Sequence, residues 1–220
     1  GYTRKIVRES ENVGNDPLYH CHLIISLFKR WLLGTYQGAV KPNNIELQTA
    51  KKKKIPVIRR ADMLGELMRL KFGIGIAGTH GKTTTTSMIG NVLTKGGLDP
   101  TIVVGGKMIN FRSHAQLGRS QYMVVEADEF DRSFLKLSPV ISVITTLEAE
   151  HLDCYANLEE IKQAFIEYAN KVPFYGSVVL CLDEPSVQDI IPYIERHIIT
   201  YGFTPQADLR AEDVEFYKHN

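Results

Sequence analysis

The chain has 220 residues, of which 44% are hydrophobic and 23% are charged, and its formal net charge at pH 7 is +1. This length and composition predict a soluble globular protein with one or two ordinary cores, and the small net charge argues against a nucleic-acid surface or a membrane-binding face. The three cysteines are widely spaced without a Cys-x-x-Cys pair, which argues against a disulfide framework or a zinc site. No signal-peptide pattern is visible, so we expect a cytoplasmic location.

Residues 1–42 are the least informative part of the chain. The apolar run His22–Leu33 is too short to span a membrane and contains Lys29 and Arg30. His20, Cys21 and His22 are potential metal ligands, but adjacent residues rarely converge on one metal without further ligands nearby. We therefore interpret this triplet as incidental composition.

The pattern becomes regular from Asn43. Asn44 is a suitable N-cap for a helix through IELQTAKKKK, whose basic end is expected to be solvated. Ile55–Ile58 resembles a short strand, and Ala61–Lys71 has the apolar spacing of a second helix. These elements lead into the most informative stretch of the sequence.

That stretch is Gly73–Thr86, GIGIAGTHGKTTTT. An apolar strand enters a glycine-spaced turn, which is followed by a lysine and a helical pattern. Glycines let backbone N–H groups face an anion, a helix N-terminus adds positive partial charge, and a hydroxyl can hold Mg²⁺. The order predicts a site for ATP phosphates with Mg²⁺. Its candidate residues are Gly78, Thr79, His80, Gly81, Lys82, Thr83 and Thr84.

The strict Walker spacing fails by one position. Gly75 lies six residues before Gly81, and Ile76 occupies the place where the pattern requires glycine. A plain glycine turn is the alternative, but the order of strand, Gly-x-x-Gly-Lys-Thr and helix favours a phosphate site.

Strand and helix patterns alternate after this loop, which predicts an α/β fold with a mainly parallel sheet and helices on both faces. In such sheets ligands bind at the carboxyl ends of the strands. The predicted strands are Ile74–Ala77, Thr101–Val104, Tyr122–Ala127, Val140–Thr146, Ser177–Leu182 and His197–Tyr201, and the predicted helices are Thr83–Leu93, Leu158–Ala169 and Val187–Arg196.

Three strand ends carry candidate site residues. Four carboxylates, Glu126, Asp128, Glu129 and Asp131, follow one strand, and their mutual repulsion predicts a balancing Mg²⁺, with a solvated acidic loop as the alternative. His151 follows another and is a candidate metal ligand or proton-transfer group, although a lone histidine is more often structural. A third end, with Gly105, Gly106 and Asn110, suits a polar substrate as well as it suits a plain loop.

The segments GIAGTHGKTTTTSMIG, VVEADEFDRSFL, TTLEAEHLDCY, IKQAFIEYANKVPFYGSVVLCLDEP and ITYGF together resemble the Mur ligases of peptidoglycan synthesis. The resemblance runs from about Asn43 to Asp213. Within the family it is greater to the members that use UDP-N-acetylmuramate and L-alanine than to the tripeptide recycling ligases.

The resemblance implies ATP-dependent phosphorylation of the lactyl carboxylate of UDP-N-acetylmuramate, followed by attack of L-alanine on the acyl phosphate. By position it assigns the ATP phosphates to Lys82 and the divalent-metal sites to Thr83, Glu126 and His151. It places Gly105, Gly106 and Asn110 near the sugar nucleotide. A recycling ligase and a non-catalytic P-loop nucleotide-binding module remain the alternatives, and the oligomeric state is open.

The resemblance also implies the domain organisation. We expect residues 1–72 to be a remnant or atypical N-terminal domain of the UDP-binding type and residues 73–220 to be an incomplete central P-loop NTPase-like domain. Residues 1–42 lack the glycine-rich UDP-binding turn of the family, and we expect the family's C-terminal domain to be missing from this sequence. We therefore expect a truncated or misjoined form of a longer enzyme that does not turn over by itself.

Overall fold

The structure, a computed structural model, describes residues 42–105, 115–150 and 154–215. The chain divides into two compact units, and the second begins at Pro42. The predictions for His20–His22 and for the apolar run that follows lie outside the described residues. Within the described ranges, no helix has both the length and the apolar character needed to cross a membrane.

The second unit is built on one eight-stranded sheet. The spatial order is β3-β2-β4-β1-β5-β6-β7-β8, and every neighbouring pair is parallel except β2 and β3. The predicted mainly parallel sheet is therefore confirmed. The strands are β1 (Phe72–Ala77), β2 (Thr101–Val103), β3 (Ala115–Gln116), β4 (Tyr122–Glu126), β5 (Ile141–Ile144), β6 (Ser177–Cys181), β7 (Ile198–Gly202) and β8 (Leu209–Arg210).

Five α-helices occur among the described residues, together with 3-10 turns at Ser133–Lys136 and Ile191–Tyr193. Asn44 caps the first by accepting hydrogen bonds from the amides of Glu46 and Leu47, as its polar side chain predicts. The helices are α1 (Ile45–Lys52), α2 (Arg60–Arg69), α3 (Lys82–Lys95), α4 (Leu158–Asn170) and α5 (Pro185–Gln188).

One face of the central strand β1 packs against α3. Ile74 and Ile76 are buried in an apolar cluster that also contains Ile89 and Leu93 of α3. Successive side chains of a strand point to opposite faces, so the residues between these isoleucines must face the other side of the sheet.

That other face carries glycines because α2 and α4 approach it closely. A Cβ built on Gly73 would lie 2.6 Å from Met68 Cγ of α2, and one on Gly75 would lie 2.1 Å from the Tyr168 hydroxyl of α4. Helices therefore cover both faces of the sheet, as predicted. Gly75 lies within β1 and makes room for Tyr168, which explains why it does not fit the phosphate-loop spacing.

The predicted strand Ile55–Ile58 is wrong. These residues are irregular and exposed, and they pair with no strand of the sheet described here. Pro56 also lacks the amide hydrogen that a ladder requires. The β-branched composition was therefore not sufficient to form a strand away from a sheet.

The predicted helix Val187–Arg196 is also largely wrong, because α5 ends at Gln188 and only a 3-10 turn follows. Pro192 interrupts the helical hydrogen bonds of this segment. Residues 211–215, the last that the structure describes, form no strand, and Asp213 has a left-handed φ of 52°. Strand β8 lies just before them.

Candidate active site

The loop Gly78–Gly81 lies at the carboxyl end of β1, between the ends of its neighbours β4 and β5. It connects β1 directly to α3. The carboxyl ends of parallel strands share one edge of the sheet, so residues that follow β4 and β5 can reach this loop. The candidate site is therefore built from three adjacent strand ends.

Residues after β5 hold the loop in place. The Thr79 amide donates to the Thr146 carbonyl at 2.9 Å, and the two threonine hydroxyls lie 2.9 Å apart. Thr146 Oγ1 also accepts from the His80 amide, while the Thr145 hydroxyl donates to the His80 carbonyl at 2.5 Å. The predicted phosphate residue Thr79 is buried and thus fixes the shape of the loop through these bonds.

The two loop glycines have backbone conformations that other residues rarely adopt. Gly78 has φ of 134°, and a Cβ on it would lie 2.0 Å from Thr145 Oγ1. Gly81, the N-cap of α3, has φ of 80° and provides no capping side chain. The first amides of a helix have no intrahelical acceptor. The first turn of α3, including the exposed Thr84, can therefore present donors to an anion.

Lys82 is the first residue of α3, and its side chain folds back over the loop. Its ammonium donates to the carbonyls of Gly78 at 2.7 Å and Thr79 at 3.2 Å. It also contacts both carboxylate oxygens of Glu129, at 3.0 and 2.9 Å. The loop and the turn after β4 thus fix the position of the lysine.

Thr83 and Glu126 are brought together, as the predicted metal site requires. The Thr83 hydroxyl donates to Glu126 Oε1 at 2.8 Å, and the Gly105 amide donates to Glu126 Oε2 at 2.6 Å. Gly105 follows β2, so this carboxylate joins three elements of the site. Hydroxyl and carboxylate oxygens are the hard ligands that Mg²⁺ prefers, and the residues present fit that ion.

The acidic turn after β4 does not form the four-carboxylate cluster that its sequence indicated. Asp128 accepts from the Phe130 amide and Asp131 from the Ser133 amide, so both stabilise local turns. No group of three or more histidine, cysteine or acidic residues suited to a metal occurs among the described residues. Of the four carboxylates, Glu129 accepts a hydrogen bond from Lys82 and Glu126 accepts one from Thr83, so these two contact the start of α3.

Glu129 is buried, with 1% of its surface exposed. Burial raises the pKa of its carboxyl above the ordinary value, although the hydrogen bond and charge of Lys82 oppose this shift. The Tyr155 hydroxyl donates to the Glu129 carbonyl at 2.7 Å. Burial of that hydroxyl raises the pKa of Tyr155 to about 12, so Tyr155 remains a donor at neutral pH.

His80 extends from the loop toward the residues after β5. Its Nε2 lies 3.5 Å from Glu148 and 3.3 Å from Glu150, and about half of the side chain is exposed. The other predicted residues, His151, Gly106 and Asn110, lie outside the described residues, so their predicted roles stay predictions.

Sequence reasoning missed two features of the site. It did not identify Thr145 and Thr146 as the residues that hold the loop, and it did not pair Glu129 with Lys82. The two threonines directly after the apolar strand VISVI were the available signal, because residues in that position lie beside the loop at the end of β1.

The fold and this loop define the class of α/β proteins with a P-loop-type phosphate-binding turn after a central strand. The family described as "Mur ligase middle domain" matches residues 76–220, and that described as "Mur ligase family, catalytic domain" matches residues 11–72. The chain belongs to the Mur ligase family. Family similarity thus begins at residue 11, and the expectation that it begins near Asn43 was too narrow.

Curated relatives are more than 50% identical to this chain over about four fifths of its length. The UDP-N-acetylmuramate--L-alanine ligase of Syntrophotalea carbinolica is 53% identical over 178 residues, which cover 81% of this chain and 39% of the relative. That of Geotalea uraniireducens is 56% identical over 177 residues, covering 80% and 39%. The chain therefore matches about two fifths of the length of these enzymes.

Solved structures share the fold. The UDP-N-acetylmuramate:L-alanyl-gamma-D-glutamyl-meso-diaminopimelate ligase of Neisseria meningitides has a TM-score of 0.65 and 30% identity, covering 76% of this chain and 57% of that one. The UDP-N-acetylmuramate-alanine ligase MurC of Thermotoga maritima has a TM-score of 0.61 and 27% identity, covering 74% and 37%.

Proposed function

We propose that this chain belongs to an ATP-dependent ligase that joins L-alanine to the lactyl carboxylate of UDP-N-acetylmuramate through an acyl phosphate, in the cytoplasm. The observation that carries the proposal is the loop Gly78–Gly81 with Lys82 bound over it, in a chain 53–56% identical to L-alanine ligases. Residues 1–72 and 73–220 would be its N-terminal and central domains.

In this proposal Lys82 binds the phosphates of ATP, and the loop amides and the N-terminus of α3 support it. A carboxylate is a poor acceptor for an amine until it carries a better leaving group, so phosphorylation activates it. Positive charge from Lys82 stabilises the transferring phosphoryl group.

Thr83 and Glu126 would hold Mg²⁺, with His151 as a further ligand from the segment after β5. The 2.8 Å contact between the first two side chains supports this assignment, since one cation can bind both oxygens. When bound, the ion supplies charge that neutralises the phosphates. Gly105, Gly106 and Asn110 would lie near the sugar nucleotide. For Gly105 the proposal is supported by the hydrogen bond that its amide donates to Glu126, since this bond holds Gly105 beside the candidate metal site.

A tripeptide recycling ligase is the second candidate. It is favoured by the TM-score of 0.65 to the Neisseria enzyme, against 0.61 to the L-alanine ligase of Thermotoga maritima. The identity of 53–56% to the curated L-alanine ligases favours the first candidate.

Isothermal titration of the purified chain tests the nucleotide part of the proposal. A non-hydrolysable ATP analogue with Mg²⁺ should bind to the wild type, and Lys95→Ala, at the far end of α3, should bind equally well. No binding to a folded wild-type chain would contradict the proposal.

Phosphate release from ATP, measured with the longer ligase to which we propose this chain belongs, tests the choice of substrate. We expect any release to need UDP-N-acetylmuramate together with L-alanine, and titration with UDP-N-acetylmuramate alone measures the sugar-nucleotide site independently. Release that requires a preformed tripeptide and ignores L-alanine would favour the recycling ligase.

A further inference from the structure

The ammonium of Lys82 has its hydrogen bonds committed within the protein. An ammonium carries three N–H donors, and Lys82 has three acceptor groups within 3.2 Å, the carbonyls of Gly78 and Thr79 and the carboxylate of Glu129. A phosphate oxygen that binds this lysine must therefore replace one of them.

Glu129 is the acceptor that a phosphate can replace. The two carbonyls belong to the same loop that would surround a phosphate under the proposed function, so we expect them to remain beside Lys82 when an anion enters. Glu129 comes from a different element, the turn after β4, and it carries the negative charge that a phosphate also carries. The carboxylate and the phosphate are thus alternative anionic partners for one ammonium.

We infer that Glu129 is an internal competitor of the nucleotide phosphate, which holds Lys82 in the nucleotide-free protein and yields the lysine when phosphate binds. This inference rests on the proposed function and deepens it. It makes Glu129 a positioning residue that acts through Lys82.

Burial makes the competition effective. Glu129 is 1% exposed and the Lys82 side chain is 12% exposed, so water screens their contact poorly. The backbone of Glu129 is also held, since Tyr155 donates to its carbonyl. The carboxylate is therefore fixed beside the loop, and a phosphate has to displace its hydrogen bonds and tolerate its charge.

The test is phosphate affinity in Glu129→Gln, measured by isothermal titration with Mg²⁺ and a non-hydrolysable ATP analogue, and with inorganic tripolyphosphate. The amide keeps the shape of the side chain but loses the charge. The hydrogen bond between Lys82 and residue 129 then loses its charge assistance, so a phosphate displaces it more easily. We expect both ligands to bind roughly tenfold more tightly to Glu129→Gln than to the wild type. Adenosine, which has no phosphate, should bind equally to both proteins.

Two further variants separate the contact from other effects. Glu167→Gln removes a carboxylate that lies 3.4 Å from Lys171 in α4, away from the loop, and should leave the affinity unchanged. Glu129→Asp keeps the charge but withdraws the carboxylate by about 1.5 Å, the length of one C–C bond, and should give an intermediate gain in affinity.

Unchanged or weaker phosphate binding in a folded Glu129→Gln would overturn the inference, as would a Glu129→Asp variant that equals the wild type. If neither variant folds, the carboxyl carbon resonance of Glu129 in the wild type is measured during titration with tripolyphosphate. The inference requires that resonance to shift as the lysine leaves, and a constant resonance at saturation refutes it. Failure of the wild type to bind any phosphate ligand would instead refute the proposed function.

Discussion

The Thr83 hydroxyl donates to the Glu126 carboxylate across 2.8 Å and thereby connects the first turn of α3 to the end of β4. The two residues are 43 positions apart in the chain. Their contact depends on β1 and β4 being neighbours in the sheet. This pair is the part of the candidate site that best fits a magnesium ion, because both oxygens are hard ligands.

Thr83→Ala should therefore weaken nucleotide binding only when Mg²⁺ is present. We expect roughly tenfold lower affinity for a non-hydrolysable ATP analogue with Mg²⁺, since one metal ligand is lost, and no change in EDTA. Titration calorimetry in the two buffers measures both. Thr94→Ala removes a hydroxyl that donates within α3 to the Gly90 carbonyl and serves as the control. Equal losses with and without the metal would contradict the magnesium assignment.

Lys82→Ala should reduce affinity for the same analogue by roughly 100-fold, because a charge-assisted contact with phosphate is removed. It also leaves the buried Glu129 without its lysine partner, so the melting temperature should fall. The double variant Lys82→Ala/Glu129→Gln removes both charges. Its melting temperature should be higher than that of Lys82→Ala alone, while its affinity for the analogue should stay low. Retention of near-wild-type affinity by either protein would show that the lysine does not bind phosphate.

The loop itself was predictable because its signal is local. Strand residues, the glycine spacing, Lys82 and the following threonines occur consecutively, and each has a physical role within a few residues of the next. Six of the eight described strands were predictable for the same reason, since their apolar runs are continuous. The two-residue strands β3 and β8 have no such run and were not predicted. The short segment Ile55–Ile58 had a similar composition but forms no strand, and it does not pair with the sheet that the structure describes.

The contacts that complete the site were not predictable in this way. Thr79 meets Thr146 across 67 positions, and Lys82 meets Glu129 across 47. Both pairs depend on β4 and β5 flanking β1, and the sequence contains no direct record of strand order. Gly75 is similar, because its role became clear only from the position of Tyr168.

Gly78→Ala should destabilise the protein and abolish phosphate binding. A Cβ there would lie 2.0 Å from Thr145 Oγ1, and the backbone φ of 134° is unfavourable for alanine. Overpacking and strain together predict a loss of about 3 kcal/mol in the free energy of unfolding. Urea denaturation measures it. Gly97→Ala, at φ of 80° with nothing within 4 Å of its Cβ, carries the backbone cost alone and should lose about 1 kcal/mol. Equal losses in the two variants would show that the loop relaxes around the added methyl group.

Glu129 should give the stability of the protein a specific pH dependence. Burial raises the pKa of its carboxyl in the folded state, so the native protein binds that proton more tightly than the unfolded chain does. The stabilising effect of the protonated form is complete below the ordinary pKa of a glutamate and is lost as the pH rises through the raised value. Glutamine cannot titrate, so the free energy of unfolding of the wild type should fall relative to Glu129→Gln as the pH increases from about 4.5 toward neutrality.

Urea denaturation of both proteins at several pH values across that window measures the difference. The sign is specific, because a carboxyl whose pKa were lowered by its lysine partner would produce the opposite slope. Glu167→Gln, which changes an exposed ion pair on α4, should follow the wild-type curve. Parallel curves for the wild type and Glu129→Gln would mean that the Lys82 charge compensates fully for burial of the carboxylate. If the free energy of unfolding of the wild type instead rose with pH relative to that of Glu129→Gln, the ion pair with Lys82 would dominate over desolvation of the carboxylate in the folded protein.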